Sequence, residues 1–250
     1  MAVSVSSPSF FRQWGAVTLF AMAIAATSPS AFTQTLPAVG APVSEGGALS
    51  STTGNVDTST PDGTIRTLAD SILQTLKTDP RIKAGDMGYI TEVVNEKLLP
   101  YTDFAKTTWL AMGPGWRLAS PAQRDELVKQ FELLLIHTYA GATAKVGDQT
   151  VNVRPLRAAP DATDVVVRTQ VMSQGKPYPV DYRLEKTPQG WKIYDVNVLG
   201  AWLIQAYRQQ FSTEVQAHGV AGLITTLQAR NQQLAEANAA GREDAASPRQ

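Results

Sequence analysis

An α+β fold, with helices packed on a four-stranded antiparallel sheet, follows from three features of the chain. Apolar residues recur at helical spacing from about residue 61 to 143. The pattern then switches to alternation between residues 150 and 198, in runs separated by turn signals short enough to predict hairpins. Helical spacing returns after Gly200.

The first helix face is Ile65, Leu68, Ala69, Ile72, Leu73 and Leu76. It stops at Asp79-Pro80, because a residue before proline is pushed out of the helical region. Tyr89, Ile90, Val93, Val94, Lys97 and Leu98 mark a second helix that Pro100 ends. Asp103 is placed to cap a third, short helix carrying Phe104, Thr107, Thr108, Ala111 and Met112, closed by Gly113-Pro114-Gly115. In Ser120-Pro121-Ala122-Gln123 the serine takes the N-cap, the proline the first helical position and the glutamine its place in a capping box. The long helix that follows presents Leu127, Val128, Phe131, Leu134, Leu135, Thr138, Tyr139 and Ala142.

Four strands are expected over residues 150–157, 162–173, 176–186 and 190–198. Val165, Val167, Thr169 and Val171 share one face of the second, and Val180, Tyr182 and Leu184 one face of the third. In the fourth, alternation puts Trp191, Ile193, Asp195 and Asn197 on one side and Lys192, Tyr194, Val196 and Val198 on the other. This strand is expected to run through Gly200 directly into a helix striped by Leu203, Ile204, Tyr207 and Phe211. Val220, Leu223, Ile224 and Leu227 predict a last helix, and the Ala, Gln, Asn and Glu sequence beyond residue 231 carries no apolar period.

The two ends read differently from the middle. Arg12 is the only charge before an apolar run over residues 14–26, followed by small residues, which is the layout of a secretory signal peptide. We therefore expect a signal peptide over 1–31 and a disordered Ser, Thr, Gly, Pro and Ala leader over 32–60. The folded domain is expected over 61–231 and a disordered tail over 232–250. With 22 basic and 22 acidic residues and no basic block, the chain lacks the footprint of a nucleic-acid binder. It has no cysteine, which excludes disulfides, thiolate metal sites and lipoprotein processing.

Catalytic patterns are sparse. His137 and His218 are the only histidines and read as satisfied boundary residues, and no phosphate-cradling glycine loop, G-x-S-x-G or H-E-x-x-H is present. Asp195 needs a partner if buried, and Arg183 on the neighbouring strand is in place for it.

Five segments in this order and spacing, LPYTDF (99–104), GPGWRLASPAQRDELVKQFELLLIHTYA (113–140), VDYRL (180–184), WKIYDVNV (191–198) and YRQQF (207–211), resemble the MlaC, or toluene-tolerance, family of periplasmic phospholipid-binding proteins. The resemblance implies an NTF2-like fold enclosing a lipid-tail cavity. It also implies a periplasmic location, phospholipid as the carried ligand with no other cofactor, and no enzymatic activity. The implied partners are an inner-membrane ABC transporter bearing MCE domains and an outer-membrane lipoprotein–porin complex, between which a monomeric carrier maintains outer-membrane lipid asymmetry. At the junction where the family usually has Glu-Gly-x-Ser, this chain has Leu199-Gly200-Ala201-Trp202. An indole there would narrow the cavity or cover its mouth.

Two acyl chains carry about thirty methylenes, whose exposure to water costs roughly 24 kcal/mol at about 0.8 kcal/mol each. A carrier must hide nearly all of that surface. The cavity-wall candidates are Trp116, Phe131, Leu134, Leu135, Tyr139, Val165, Val167, Tyr182, Leu184, Ile193, Leu203, Tyr207 and Phe211, each with ordinary core packing as the alternative. The alternative function is a small-molecule enzyme on the same scaffold, with Asp103 or Asp195 as general base and Tyr101 or Tyr182 as hydrogen-bond donor.

Overall fold

The computed structural model describes residues 56–159 and 161–246, so the expected signal peptide, most of the leader and the last four residues lie outside the described residues. Helix α1 (Pro61–Thr78) starts at an N-cap threonine, where Thr60 Oγ1 accepts from the Gly63 N–H at 3.1 Å. It ends at Asp79, ahead of the short α2 (Pro80–Lys83). Next come α3 (Met87–Lys97), a 3₁₀ turn (Leu99–Tyr101) and α4 (Phe104–Met112), capped by Asp103 as expected. A second 3₁₀ segment (Gly113–Leu118) leads to α5 (Pro121–Thr143), which opens with the complete Ser120/Gln123 capping box. The described chain begins five residues before the expected boundary. Val56 packs into the sheet core and the Thr58 carbonyl accepts from the Trp191 N–H at 3.2 Å.

The sheet has five strands in the order β1-β2-β3-β4-β5, where the sequence predicted four: β1 (Thr150–Val153), β2 (Asp164–Ser173), β3 (Lys176–Thr187), β4 (Gly190–Val198) and β5 (Ala201–Trp202). Adjacent strands are antiparallel. The extra strand corrects the reading of Gly200. Leu199 (φ 53°) and Gly200 (φ 94°) are both left-handed, so the chain reverses in a two-residue hairpin and pairs Ala201 with Val198 and Trp202 with Asn197. Only then does it enter α6 (Leu203–Ala246).

Alternation in β4 is also interrupted. Arg183 pairs with Asp195 and Leu184 with Ile193, leaving Tyr194 as the extra residue of a β-bulge. The bulge shifts the period by one. Trp191 and Ile193 therefore share a face with Val196 and Val198, while Asp195 and Asn197 turn to the other side. The free edge of β4 is covered by Thr102, which forms a parallel bridge to Ile193, and by the Asp103 N–H, which donates to the Ile193 carbonyl at 2.7 Å.

Helix α6 is two helices meeting at Gly219, whose backbone (φ 71°, ψ −178°) is not helical. Phe211 stacks on Phe131, and Asn231 Nδ2 donates to the carbonyl of the adjacent Gln130 at 2.9 Å. Along an uninterrupted helix, residues 211 and 231 would be about 30 Å apart. The chain therefore folds back at Gly219, and Thr226 Oγ1 reaches Glu214 across the reversal at 2.7 Å. The second segment runs alongside α5 to Ala246, past the point near residue 231 where the apolar period ends. Polar bonds secure it there: Gln228 to Glu126, Asn231 to Gln130, the His137 ring to the Asn231 carbonyl, and Asn238 to the His137 carbonyl. A composition rich in Ala, Gln and Glu supplies the helix propensity.

Gly219→Ala tests the reversal. No atom lies within 4 Å of where its Cβ would sit, so the cost is conformational. An alanine there is expected to lower unfolding free energy by about 1–3 kcal/mol in a denaturant titration.

Candidate functional site

The apolar face of the sheet is sealed at one end and open at the other. At the sealed end α1 presses Ile65 and Leu68 onto Val165, Val167, Leu184, Trp191 and Ile193, all buried. Moving along the strands, Tyr182, Val196, Val180, Val171 and Tyr178 are only half-buried, and Val198 is 36% exposed. Helix α1 contacts β1, β2 and β4, whereas the main contacts of α5 are with α3, α4 and α6.

Tyr182 packs against the edge of the sheet core with its side chain still partly accessible, and burial pushes its hydroxyl up to about 12, with Thr169 pulling the other way. On α5, Phe131 faces the first segment of α6, Gln130 and His137 face the second, and Ile136 and Ala140 pack with α3. That leaves the stripe Val128, Glu132, Leu135 and Tyr139, half-buried up to Tyr139, which is 38% exposed. Burial raises both the Glu132 carboxyl and the Tyr139 hydroxyl, and Glu132 has no ion-pair or hydrogen-bond partner among the described residues.

A wall residue must touch what the cavity holds, so exposure divides the thirteen expected wall residues. Phe131, Leu134, Val165, Val167, Leu184, Ile193 and Phe211 are enclosed in packed core. Phe131 sits at the centre of an aromatic cluster, with ring centroids 5.4 Å from Phe104, 4.7 Å from Tyr207 and 5.0 Å from Phe211. Tyr207 is buried at its margin, and burial raises its hydroxyl. Tyr182, Leu135, Tyr139 and Leu203 have the partial exposure of a wall. Trp116 is half-buried elsewhere, with the Arg124 guanidinium 5.3 Å from its ring and its carbonyl accepting from Arg124 Nε at 3.2 Å. Sequence reasoning missed Val196, which the Tyr194 bulge moves onto the apolar face, and Val180, which β-alternation already placed there.

The expected general bases are occupied. Asp103 Oδ1 accepts from the Lys106 N–H at 2.8 Å, capping α4. The Asp195 side chain is fully enclosed and accepts from Arg183 Nη1 at 2.9 Å, the Val196 N–H at 3.0 Å and the Ile204 N–H at 3.1 Å. Burial pushes its carboxyl up, while these donors pull it back. Trp202 lies over this pair, with its ring centroid 3.9 Å from the Arg183 guanidinium carbon. Its ring thus covers the Arg183 guanidinium, whereas the sequence predicts an indole that narrows the cavity or covers its mouth. A separate cleft of about 210 Å³ lies at the sealed end, between Ser59, Leu156, Ala162 and Trp191. It is small beside the ~300–1,000 Å³ usual for ligand pockets. Among the described residues no cluster of metal ligands occurs, and no helix is long and apolar enough to cross a membrane.

Residues 66–229 match the family described as MlaC protein. The chain is 21% identical over 164 residues to the intermembrane phospholipid transport system binding protein MlaC of Haemophilus influenzae, covering 64% of this chain and 77% of that protein. It is 25% identical over 161 residues to the toluene tolerance protein ttg2D of Pseudomonas putida, covering 64% and 75%. Among solved structures, a phospholipid-binding protein from Ralstonia solanacearum in complex with a phospholipid superposes with a TM-score of 0.68 at 45% identity. That match spans 70% of this chain and 98% of the other.

Two measurements test the site. Tyr182 is protonated below its ordinary value near 10 whether folded or unfolded, and between 10 and about 12 the unfolded chain ionises first. Stability is therefore lost as pH rises through that window, and Tyr182→Phe should flatten this alkaline limb in pH-dependent denaturation. Trp202→Ser uncovers the Arg183–Asp195 pair and should cost about 1–2 kcal/mol of stability, while ligand load per chain, measured after organic extraction, stays unchanged.

Proposed function

The chain belongs to the MlaC family, and on that premise we propose that it is a phospholipid carrier and has no enzymatic activity. The observation that carries this reading is the 45% identity to a protein solved with phospholipid bound, over 98% of that protein's length. The half-open apolar face agrees with it. Acyl chains need a surface that is apolar and reachable, and Tyr182, Val196, Leu135 and Leu203 keep part of their apolar area exposed, the first two while packing on the edge of the sheet core. Asp103 and Asp195, the bases that an enzyme on this scaffold would use, are engaged in a helix cap and a buried ion pair.

The finer reading follows from the family. The carrier works in the periplasm as a monomer and moves phospholipid between an outer-membrane lipoprotein–porin complex and an inner-membrane ABC transporter bearing MCE domains, maintaining outer-membrane lipid asymmetry. It uses no cofactor other than its cargo. Transfer between two apolar phases requires little net free energy, so docking to one complex or the other is enough to set whether lipid enters or leaves.

Native mass spectrometry of gently purified protein, followed by organic extraction, tests the proposal. Phospholipid is expected to leave with the protein in stoichiometric amount. Protein that is consistently lipid-free and takes none up from vesicles overturns it.

A further inference from the structure

The β4–β5 turn places a leucine where the backbone favours glycine, asparagine or aspartate. Leu199 sits at φ 53° with 41% of its surface exposed, beside Val198 at 36%. The β2–β3 turn, also left-handed at both central residues, carries polar Gln174 before Gly175. A leucine in a strained turn with 41% of its surface in solvent belongs to neither buried cluster, which points to a use outside the fold.

Its neighbours extend the same character. The Leu199 N–H donates to the Pro179 carbonyl at 3.3 Å, and Val198 pairs with Val180. The two hydrogen-bonded stretches, residues 177–180 and 198–202, contain no charged residue. Val198 also lies on the open half of the apolar face, two pairs along β4 from the residue opposite Tyr182. The surface is thus continuous with the route that cargo would take. Exposed Lys176, at the head of β3, is the adjoining cation and complements lipid phosphate.

We propose that this uncharged tip, centred on Leu199 and Val198 with Tyr178 and Pro179 beside it, is a bilayer-contact surface that seats the open end of the apolar face against a lipid membrane. The tip, Leu199 and Val198 with Tyr178 and Pro179, is far smaller than the ~20–30 residues a side that a standard protein interface uses, and suits shallow insertion instead. Aromatic and aliphatic side chains flanked by a lysine are the composition found at membrane–water boundaries. The cargo route rests on the carrier reading, whereas the membrane contact itself is measurable without it.

The test is Leu199→Asn in the full chain. Asparagine suits the turn, so the thermal midpoint should hold or rise. In flotation with vesicles of mixed phosphatidylethanolamine and phosphatidylglycerol, the variant should partition at least about tenfold less than the parent protein. Val198→Thr, which keeps a strand-forming residue, should shift partitioning the same way by less. Equal partitioning of Leu199→Asn and parent, or no partitioning of the parent, overturns the membrane contact. Lipid extracted from the same samples separates the two readings. Lipid-loaded protein that partitions equally with either residue rejects only the tip, whereas partitioning that depends on Leu199 in protein that never loads lipid rejects only the carrier.

Discussion

A carboxylate without access to water joins the two layers of this protein. Asp195 takes Arg183 from β3, the backbone of β4 and the first turn of α6 on one pair of oxygens. Removing Arg183 would leave the Asp195 carboxylate buried without its cation, which typically costs about 3–5 kcal/mol, whereas Arg183, 37% exposed, keeps water if Asp195 is removed and that loss costs less. The arrangement needs the bulge at Tyr194 to turn Asp195 toward Arg183, and the hairpin at Gly200 to bring Ile204 back within reach. Trp202 then roofs the guanidinium. The direction in which α6 leaves the sheet follows from these contacts, and α6 in turn delivers Tyr207 and Phe211 to Phe131.

That delivery separates the molecule's apolar residues by task. The aromatic cluster and the α1-covered end of the sheet are filled by the protein's own side chains and provide the burial that stabilises the fold. The half-buried residues beyond them contribute less to stability and remain free to contact a ligand. Glu214 and the polar seam between α5 and the last helical segment hold the outer layer with hydrogen bonds, which specify alignment through partner geometry. Asn231 Oδ1 in that seam is buried without a partner, a cost accepted where two helices must meet in one register.

Much of this was legible in the sequence because it rests on local rules. Proline and capping residues mark the helix starts at Phe104 and Pro121 and the stop at Asp79, and alternation identifies the apolar face of β2 and β3. Two of the misreadings share a cause: each depended on one residue whose backbone breaks a period. Tyr194 adds a residue to β4 without any composition cue, so the faces of Asp195 and Val196 exchanged. Gly200 reads as the point where the strand passes directly into a helix, and Leu199 gives no sign of accepting the positive φ that makes a hairpin there instead. Beyond Asn231 the helix is held by amide side chains, which an apolar periodicity cannot register. Core and wall were indistinguishable for a related reason: Val167 and Tyr182 have the same parity and face, and differ only in how far α1 extends over them.

The limited reach of α1 has a consequence for the proposed transport. Were the sheet face covered along its whole length, cargo would have to displace core side chains, at a cost of several kcal/mol for each one moved. With that part of the face only half-buried, lipid could add contacts there while the buried clusters stay intact. On the proposed reading, stability rests on residues such as Leu184 and Phe131 and affinity for cargo on residues such as Tyr182 and Val196. That separation lets binding be weak enough for release into a membrane phase while the emptied protein stays folded.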